Sequence, residues 1–209
     1  MMDRTTGLEK SPVWLLGDSN PTRFQNELEG PLDRRHPARH SIWTPIEEVI
    51  QRHLFQQCRS RMTHEPFIRN AVGDSSHKFL KGTLAHEIAE YGRLLSRCKP
   101  VVVLCFGEFA FEFACRAQQE AEQEEGQAEF RSRSVKQLAM EFDTRVSSFQ
   151  VEAINVLPLL HASVARGKFL YCHREFSGGK GNYFDYVGGE IANILIEYRS
   201  HKRLEDCWT

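Results

Sequence analysis

Carboxylate, amide, hydroxyl and imidazole side chains gather where the apolar runs of this chain end. Asp18, Ser19 and Asn20 follow Val13–Gly17, and Asn70 lies near the end of Pro66–Val72, ahead of Asp74, Ser75, Ser76 and His77. Gly107 and Glu108 close Val101–Gly107, and His161 and Ser163 follow an apolar run that ends at Leu160. A carboxylate or amide can orient a water molecule, and an imidazole can donate a hydrogen bond to a departing anion. An amide donates and accepts at once, so it can read the edge of a heterocycle. Loops are polar in any protein, but groups of complementary type at four run ends make a rim that could do chemistry. The densest stretch is HASVARGKFLYCHREFSGGKGNYFDYVGGEIANIL, from His161 to Leu195.

For these groups to meet, the apolar runs must be neighbouring strands. Val13–Gly17 and Val101–Gly107 are nearly continuous apolar runs, the pattern of strands covered on both faces in a parallel sheet. Pro66–Val72 and Val151–His161 are the other β-like runs. Helical patterns lie between them. Thr44-Pro45-Ile46-Glu47 reads as an N-cap, a proline at the first helical position and a capping glutamate, followed by Ile46, Val49, Ile50, Leu54 and Phe55 at helical spacing. Leu84, Ile88, Tyr91 and Leu95 form a second stripe, Phe109–Ala121 a third candidate and Tyr183–Arg199 a fourth. The alternation predicts an α/β fold: one domain over residues 1–209, a three-layer α/β/α sandwich around a central, mainly parallel four-stranded sheet. In such a sheet the functional loops leave the C-terminal strand ends. Ala121–Ser134 is the most polar stretch and reads as a frayed helix end and surface loop.

The chain has 209 residues with 27 basic and 28 acidic side chains, for a formal net charge of −1. No general basicity points to nucleic acid, so such a role has to rest on a local patch. Arg34, Arg35, His36, Arg39 and His40 form one cluster, which reads first as a solvated loop. None of the six cysteines falls in a C-x-x-C pair, so neither a zinc or iron–sulfur site nor a disulfide framework is expected, and no metal or cofactor is assigned. Cys105, inside an apolar run, reads as a small core residue. With no apolar stretch of membrane-spanning length and no leader pattern, the expectation is a cytoplasmic monomer without a membrane partner.

Two family resemblances bear on the rim. Leu15-Leu16-Gly17-Asp18-Ser19 resembles the opening block of GDSL-type serine hydrolases, which would make Ser19 a nucleophile needing a histidine base. The rest of that pattern is missing, since the Asp-x-x-His matches, Asp33–His36 and Asp74–His77, come far too early in the chain. A longer series of segments resembles the uracil-DNA glycosylase superfamily: Gly17-Asp18-Ser19-Asn20-Pro21, His40-Ser41-Ile42-Trp43, Arg69-Asn70-Ala71-Val72, Ser76-His77-Lys78 with Gly82, Phe106-Gly107-Glu108-Phe109-Ala110, His161-Ala162-Ser163, Arg166-Gly167-Lys168-Phe169 and Glu175-Phe176-Ser177 ahead of Asn182. Order and approximate spacing hold from residue 13 to about 196.

That resemblance implies an enzyme that extrudes a base into a pocket and hydrolyses its N-glycosidic bond. It places Asn20, or Asp18 in its stead, where the attacking water is positioned, and His161 where the departing base anion needs a donor. It assigns Asn70 to the base edge and Trp43, with Phe24 as a second candidate, to stacking on the base. Trp43 is equally suited to a core position ahead of a helix. Ser76, Gly107, Ser163 and Arg166 would meet backbone phosphates, which position a strand without reading it. The partner implied is DNA, and the alternative is a non-catalytic relative that keeps the pocket to bind nucleic acid or a nucleotide.

The chain departs from the family pattern in three places. Thr22 and Arg23 stand where a Tyr and a His follow the first-motif proline. Asp18-Ser19 adds a residue to the first loop. The last motif reaches Arg166-Gly167 early, leaving Val164 or Ala165 where an apolar wedge belongs. Without a wedge, holding a duplex base out of the stack costs a few kcal/mol with less to offset it. Single-stranded DNA is therefore expected as a better substrate than duplex.

Overall fold

The computed structural model describes residues 5–19, 28–36, 39–63, 65–122, 130–165 and 170–207. Five strands form one mixed sheet: β1 (Thr5–Thr6), β2 (Val13–Gly17), β3 (Phe67–Asn70), β4 (Val102–Phe106) and β5 (Asn155–Leu159), in the order β1-β3-β2-β4-β5. Each of the four apolar runs contains a strand, the last only over Asn155–Leu159, and these four lie parallel to one another, with Leu15 paired to Ile68 on one side and Leu104 on the other, and Leu104 to Leu157. The sheet is larger than the expected four strands because β1 pairs antiparallel with the outer edge of β3, Thr5 opposite Arg69 and Thr6 opposite Ile68. Such an edge otherwise leaves a row of backbone groups unpaired. Two threonines at the head of the chain carry no apolar alternation that would reveal a strand.

Among the described residues seven α-helices complete the fold: α1 (Thr44–Cys58), α2 (Lys81–Cys98), α3 (Glu108–Ala121), α4 (Val135–Ser147), α5 (Ala162–Ala165), α6 (Leu170–Phe176) and α7 (Tyr183–Glu197). The four helical stripes correspond to α1, α2, α3 and α7. The start of α1 differs from expectation. A π-helical turn, Arg39–Trp43, runs directly into it, Trp43 is already helical at φ −73°, and the Thr44 hydroxyl donates back to the Arg39 carbonyl instead of capping the helix. Pro45 does stand in the first turn.

β2 and β4 lie inside the sheet and are buried throughout except at Gly17. A continuous core extends from them through Trp14, Tyr91, Phe113, Phe142, Phe176 and Tyr183, and Cys105 is part of it. No helix among the described residues is long and apolar enough to cross a membrane.

Candidate functional site

The parallel register sets Gly17, at the end of β2, beside Asn70, at the end of β3. Pairing continues past the strands: the Ala71 amide donates to Gly17 O at 2.8 Å and the Val72 amide to Asp18 O at 3.2 Å. These bonds fix the Asp18 backbone where the chain turns away from the sheet. A Cβ on Gly17 would lie 2.4 Å from Asn70 Oδ1, so glycine is what lets that amide rest against the neighbouring strand. Asn70 is only 7 % exposed.

On the other side of the sheet centre, His161 follows β5. Its position is held from both directions. The Leu160 amide donates to the buried Tyr183 hydroxyl at 2.9 Å, and burial pushes that phenol's pKa up. Beyond the short helix α5, His173 bonds the Ala165 carbonyl at 2.8 Å through Nε2. The ring itself is oriented by Ser163, whose amide donates to His161 Nδ1 at 3.1 Å and whose hydroxyl lies 2.8 Å from the same nitrogen. With Nδ1 accepting, the proton of the neutral imidazole sits on Nε2. Gly107, at the end of β4, has φ +99°, and a Cβ there would lie 2.8 Å from His161 Cβ. A side chain at 107 would displace the imidazole.

These strand ends enclose a cavity of about 280 Å³ lined by Gly17, Asp18, Ser19, Leu32, His36, Ile42, Trp43, Asn70, Lys78, Phe106 and His161, among others. That is close to the smallest cavities, about 300 Å³, that hold small organic ligands. One wall is aromatic: Trp43 stands edge-on to Phe106, with centroids 6.4 Å apart at 89°. The opposite side is polar. Asp18 pairs with Lys78 through Oδ1 and faces His161 Nε2 at 3.9 Å through Oδ2. The second distance is too long for a direct hydrogen bond and is the span that one bridging oxygen closes. Lys78 lies over the Phe109 ring at 4.9 Å, on the turn Ser75–Phe79. A planar ligand would find a stacking surface, an amide, an imidazole N–H and a charge-balanced Asp–Lys pair.

Of the residues singled out from sequence, Asp18, Asn70, Trp43 and His161 share this cavity, as does Ser19. Gly107 packs against His161, and Ser163 orients its ring. Ser76 is engaged elsewhere, its amide and hydroxyl both donating to Asp74 Oδ1 at 2.7 Å to start the turn that carries Lys78. Asn20, Phe24 and Arg166 lie outside the described residues. Sequence reasoning gave Lys78 and His36 no role in the site, although both stood in runs already picked out, Ser76-His77-Lys78 and the 34–40 basic cluster. Three members of that cluster are partnered locally: Arg35 pairs with Asp33 and Glu29, Arg39 donates to Leu32 O, and the His40 ring bonds Arg34 O. Arg35 and two backbone amides hold the Asp33 carboxyl well below the usual carboxylate range. A wider groove of about 920 Å³ lies across Trp43 and Ile68 from the cavity, lined by acidic and basic side chains together, including Glu29, Asp33, Arg34, Arg39, Glu47 and Glu65.

Among the described residues no group of three or more His, Cys, Asp or Glu side chains is placed to hold a metal ion. A scan of family models and a search of curated proteins return no match to this chain.

Proposed function

We propose that the cavity takes a nucleobase and that the chain is a divergent uracil-DNA glycosylase-like protein, hydrolysing the N-glycosidic bond of uracil or another damaged base in DNA. The observation that carries this reading is the convergence of Asp18, Asn70, Trp43 and His161 on one cavity at four C-terminal strand or turn ends. The reading includes the three-layer arrangement, with α1 and α7 on one face of the sheet and α2 and α3 on the other.

In this reading the base stacks on Trp43 and is read by Asn70. As the bond from the sugar's anomeric carbon to the base nitrogen breaks, negative charge develops on the base, and His161 Nε2–H donates to it. Water, positioned by Asp18 or by Asn20, adds to the anomeric carbon, and the proton it loses ends on the departing base anion, which leaves as the neutral base. Removing one donor aimed at a developing anion costs about 10²–10³ in rate. Ser163 and Gly107 act behind His161, by fixing its ring.

One observation favours a second reading, a non-catalytic binder with the same pocket: Asp18 is already ion-paired with Lys78 through Oδ1, so part of the carboxylate is engaged before any water or ligand arrives. Ser19 as a hydrolase nucleophile draws less support. A triad histidine donates from Nδ1 to a carboxylate, whereas His161 Nδ1 accepts from the Ser163 amide.

The test is release of free uracil from a uracil-containing single strand. Wild-type protein is expected to release it, and His161→Ala to slow release by about 10²-fold or more. No release above a heat-killed control, on single or double strands, removes the catalytic reading. Retention of a uracil-containing strand, lost in Asn70→Ala, would then support the binder.

A further inference from the structure

The strand-end cavity explains Lys78 but not the residues after it. Phe79 is 83 % exposed and Leu80 is 53 % exposed, side by side in the sequence Lys78-Phe79-Leu80-Lys81. A single exposed apolar side chain is ordinary, so exposure alone decides nothing. What distinguishes this pair is the rigidity and position of its support. Asp74 takes both the amide and the hydroxyl of Ser76, the His77 amide donates to Asp74 O at 3.1 Å, and the Leu80 amide donates to His77 O at 3.3 Å. The turn is tethered at two side chains as well: Lys78 reaches into the cavity to Asp18, and His77 lies 3.7 Å from the buried Glu87. One residue therefore points into the cavity while its neighbour stands in solvent on a fixed base.

We propose that Phe79, supported by Leu80, is a wedge that inserts into a nucleic-acid base stack beside the turn whose Lys78 lines the cavity. The proposal rests on the reading of the cavity as a base pocket. Extruding a base leaves a gap in the stack, and proteins that hold such a gap open fill it with an apolar side chain. Neither Val164 nor Ala165 fills this role, since Ala165 is fully buried and Val164 packs against the core. Phe79 has the size and exposure that they lack. Its flanks suit the same occupant: Lys81 is exposed beside it, where a strand's phosphates would run. A planar aromatic ring stacks on any base, so the wedge adds affinity without sequence preference.

The experiment uses the full chain and oligodeoxynucleotides with 2-aminopurine next to uracil, single-stranded and duplex. On binding wild-type protein, 2-aminopurine emission is expected to rise as its stacking is broken. Phe79→Ala should abolish the rise and weaken duplex binding roughly tenfold, the range of one lost aromatic–base stack. Its melting temperature should match wild type, because the side chain is mostly in solvent. A Leu170→Ala/Tyr171→Ala double variant removes another exposed apolar pair, 58 % and 67 % exposed, and should behave as wild type.

The outcomes separate the wedge from the cavity reading. An emission rise that depends on Phe79, without base release, keeps the wedge and removes catalysis. Base release with identical emission and affinity in Phe79→Ala overturns the wedge and keeps the pocket. The wedge also falls if wild type binds neither strand, or if Phe79→Ala instead turns a sedimenting dimer into a monomer, which would make Phe79 a self-association surface.

Discussion

Two glycines show how individual residues in this site are fixed by their neighbours. Gly17 admits the Asn70 amide, and Gly107 admits His161. Gly107 combines φ +99° with a Cβ position 2.8 Å from His161 Cβ, so alanine there is strained in its backbone and collides with the imidazole. Gly107→Ala is expected to lose about 1–3 kcal/mol in urea denaturation, and to lose base release or binding beyond what that stability change explains. An alanine variant as stable as wild type would contradict the packing. The sequence made His161, Asn70 and Asp18 legible because each ends an apolar run. It hid what Lys78 does, because pairing with Asp18 across about 60 intervening residues exists only once β2 and the turn after β3 are brought together. It also suggested phosphate contact for Gly107 and Ser163, both of which lie against His161 in the fold.

A second residue links burial to pH. Burial pushes the Cys115 thiol from its ordinary 9.0 up to about 11, although Arg145 lies 3.5 Å from its sulfur. The unfolded chain releases this proton near pH 9 and the folded one near 11. Its contribution is therefore complete below pH 9 and declines as pH rises toward about 11, by roughly 2 kcal/mol. Buried Tyr91, Cys105 and Tyr183 are shifted upward as well, so the wild-type decline is a sum. Comparing urea midpoints of wild type and Cys115→Ala from pH 8 to 11 isolates the Cys115 part. The two stabilities should converge as pH rises, and a constant gap would show that the thiol is not so shifted.

At the scale of elements, the strands and the four long helical stripes were legible because burial on both faces and amphipathic periodicity both leave marks in sequence. α4 was overlooked although it carries a local start signal. Ser134 accepts from the Gln137 amide at 3.3 Å while Gln137 Oε1 accepts from the Ser134 amide at 2.8 Å, a reciprocal capping box spelled Ser-x-x-Gln. The polar stretch before it drew the boundary too late. The reverse happened at α1, where Thr44-Pro45-x-Glu47 spells a start but the π-helical turn ahead of it supplies the preceding carbonyls, leaving nothing for Thr44 to cap. A capping signal is therefore informative only where the chain enters the helix from an extended segment, as Ser134 does at ψ 163°. Ser134→Ala is expected to cost about 1 kcal/mol, while Thr44→Ala, which loses no cap, should cost less. Equal losses in chemical denaturation would show that the two starts are equivalent.

For the whole molecule, the question is whether the sheet and the helices that position the site unfold as one. Two helix pairs close on glycines. A Cβ on Gly188 of α7 would lie 2.7 Å from Val49 Cβ and 3.1 Å from Ile46 O of α1, and one on Gly92 of α2 would lie 2.8 Å from Ala117 O of α3. Both contacts include backbone atoms, which cannot rotate aside, so alanine must push the helices apart at a cost of about 1–3 kcal/mol. The two pairs join through the sheet in one continuous core that includes Leu16, Leu104, Tyr91 and Ile191. If residues 5–207 fold as a single cooperative unit, Gly92→Ala and Gly188→Ala must each move the same transition, and every probe of that transition must move together. Far-ultraviolet circular dichroism and tryptophan fluorescence should therefore give one coincident midpoint per variant, lowered in both. Trp14 and Trp43 sit in the core near different helices, so a fluorescence midpoint that separates from the dichroism midpoint in only one variant would expose a helix pair that unfolds alone. The cavity would then be formed by parts of unequal stability, and ligand binding would have to stabilise the weaker one.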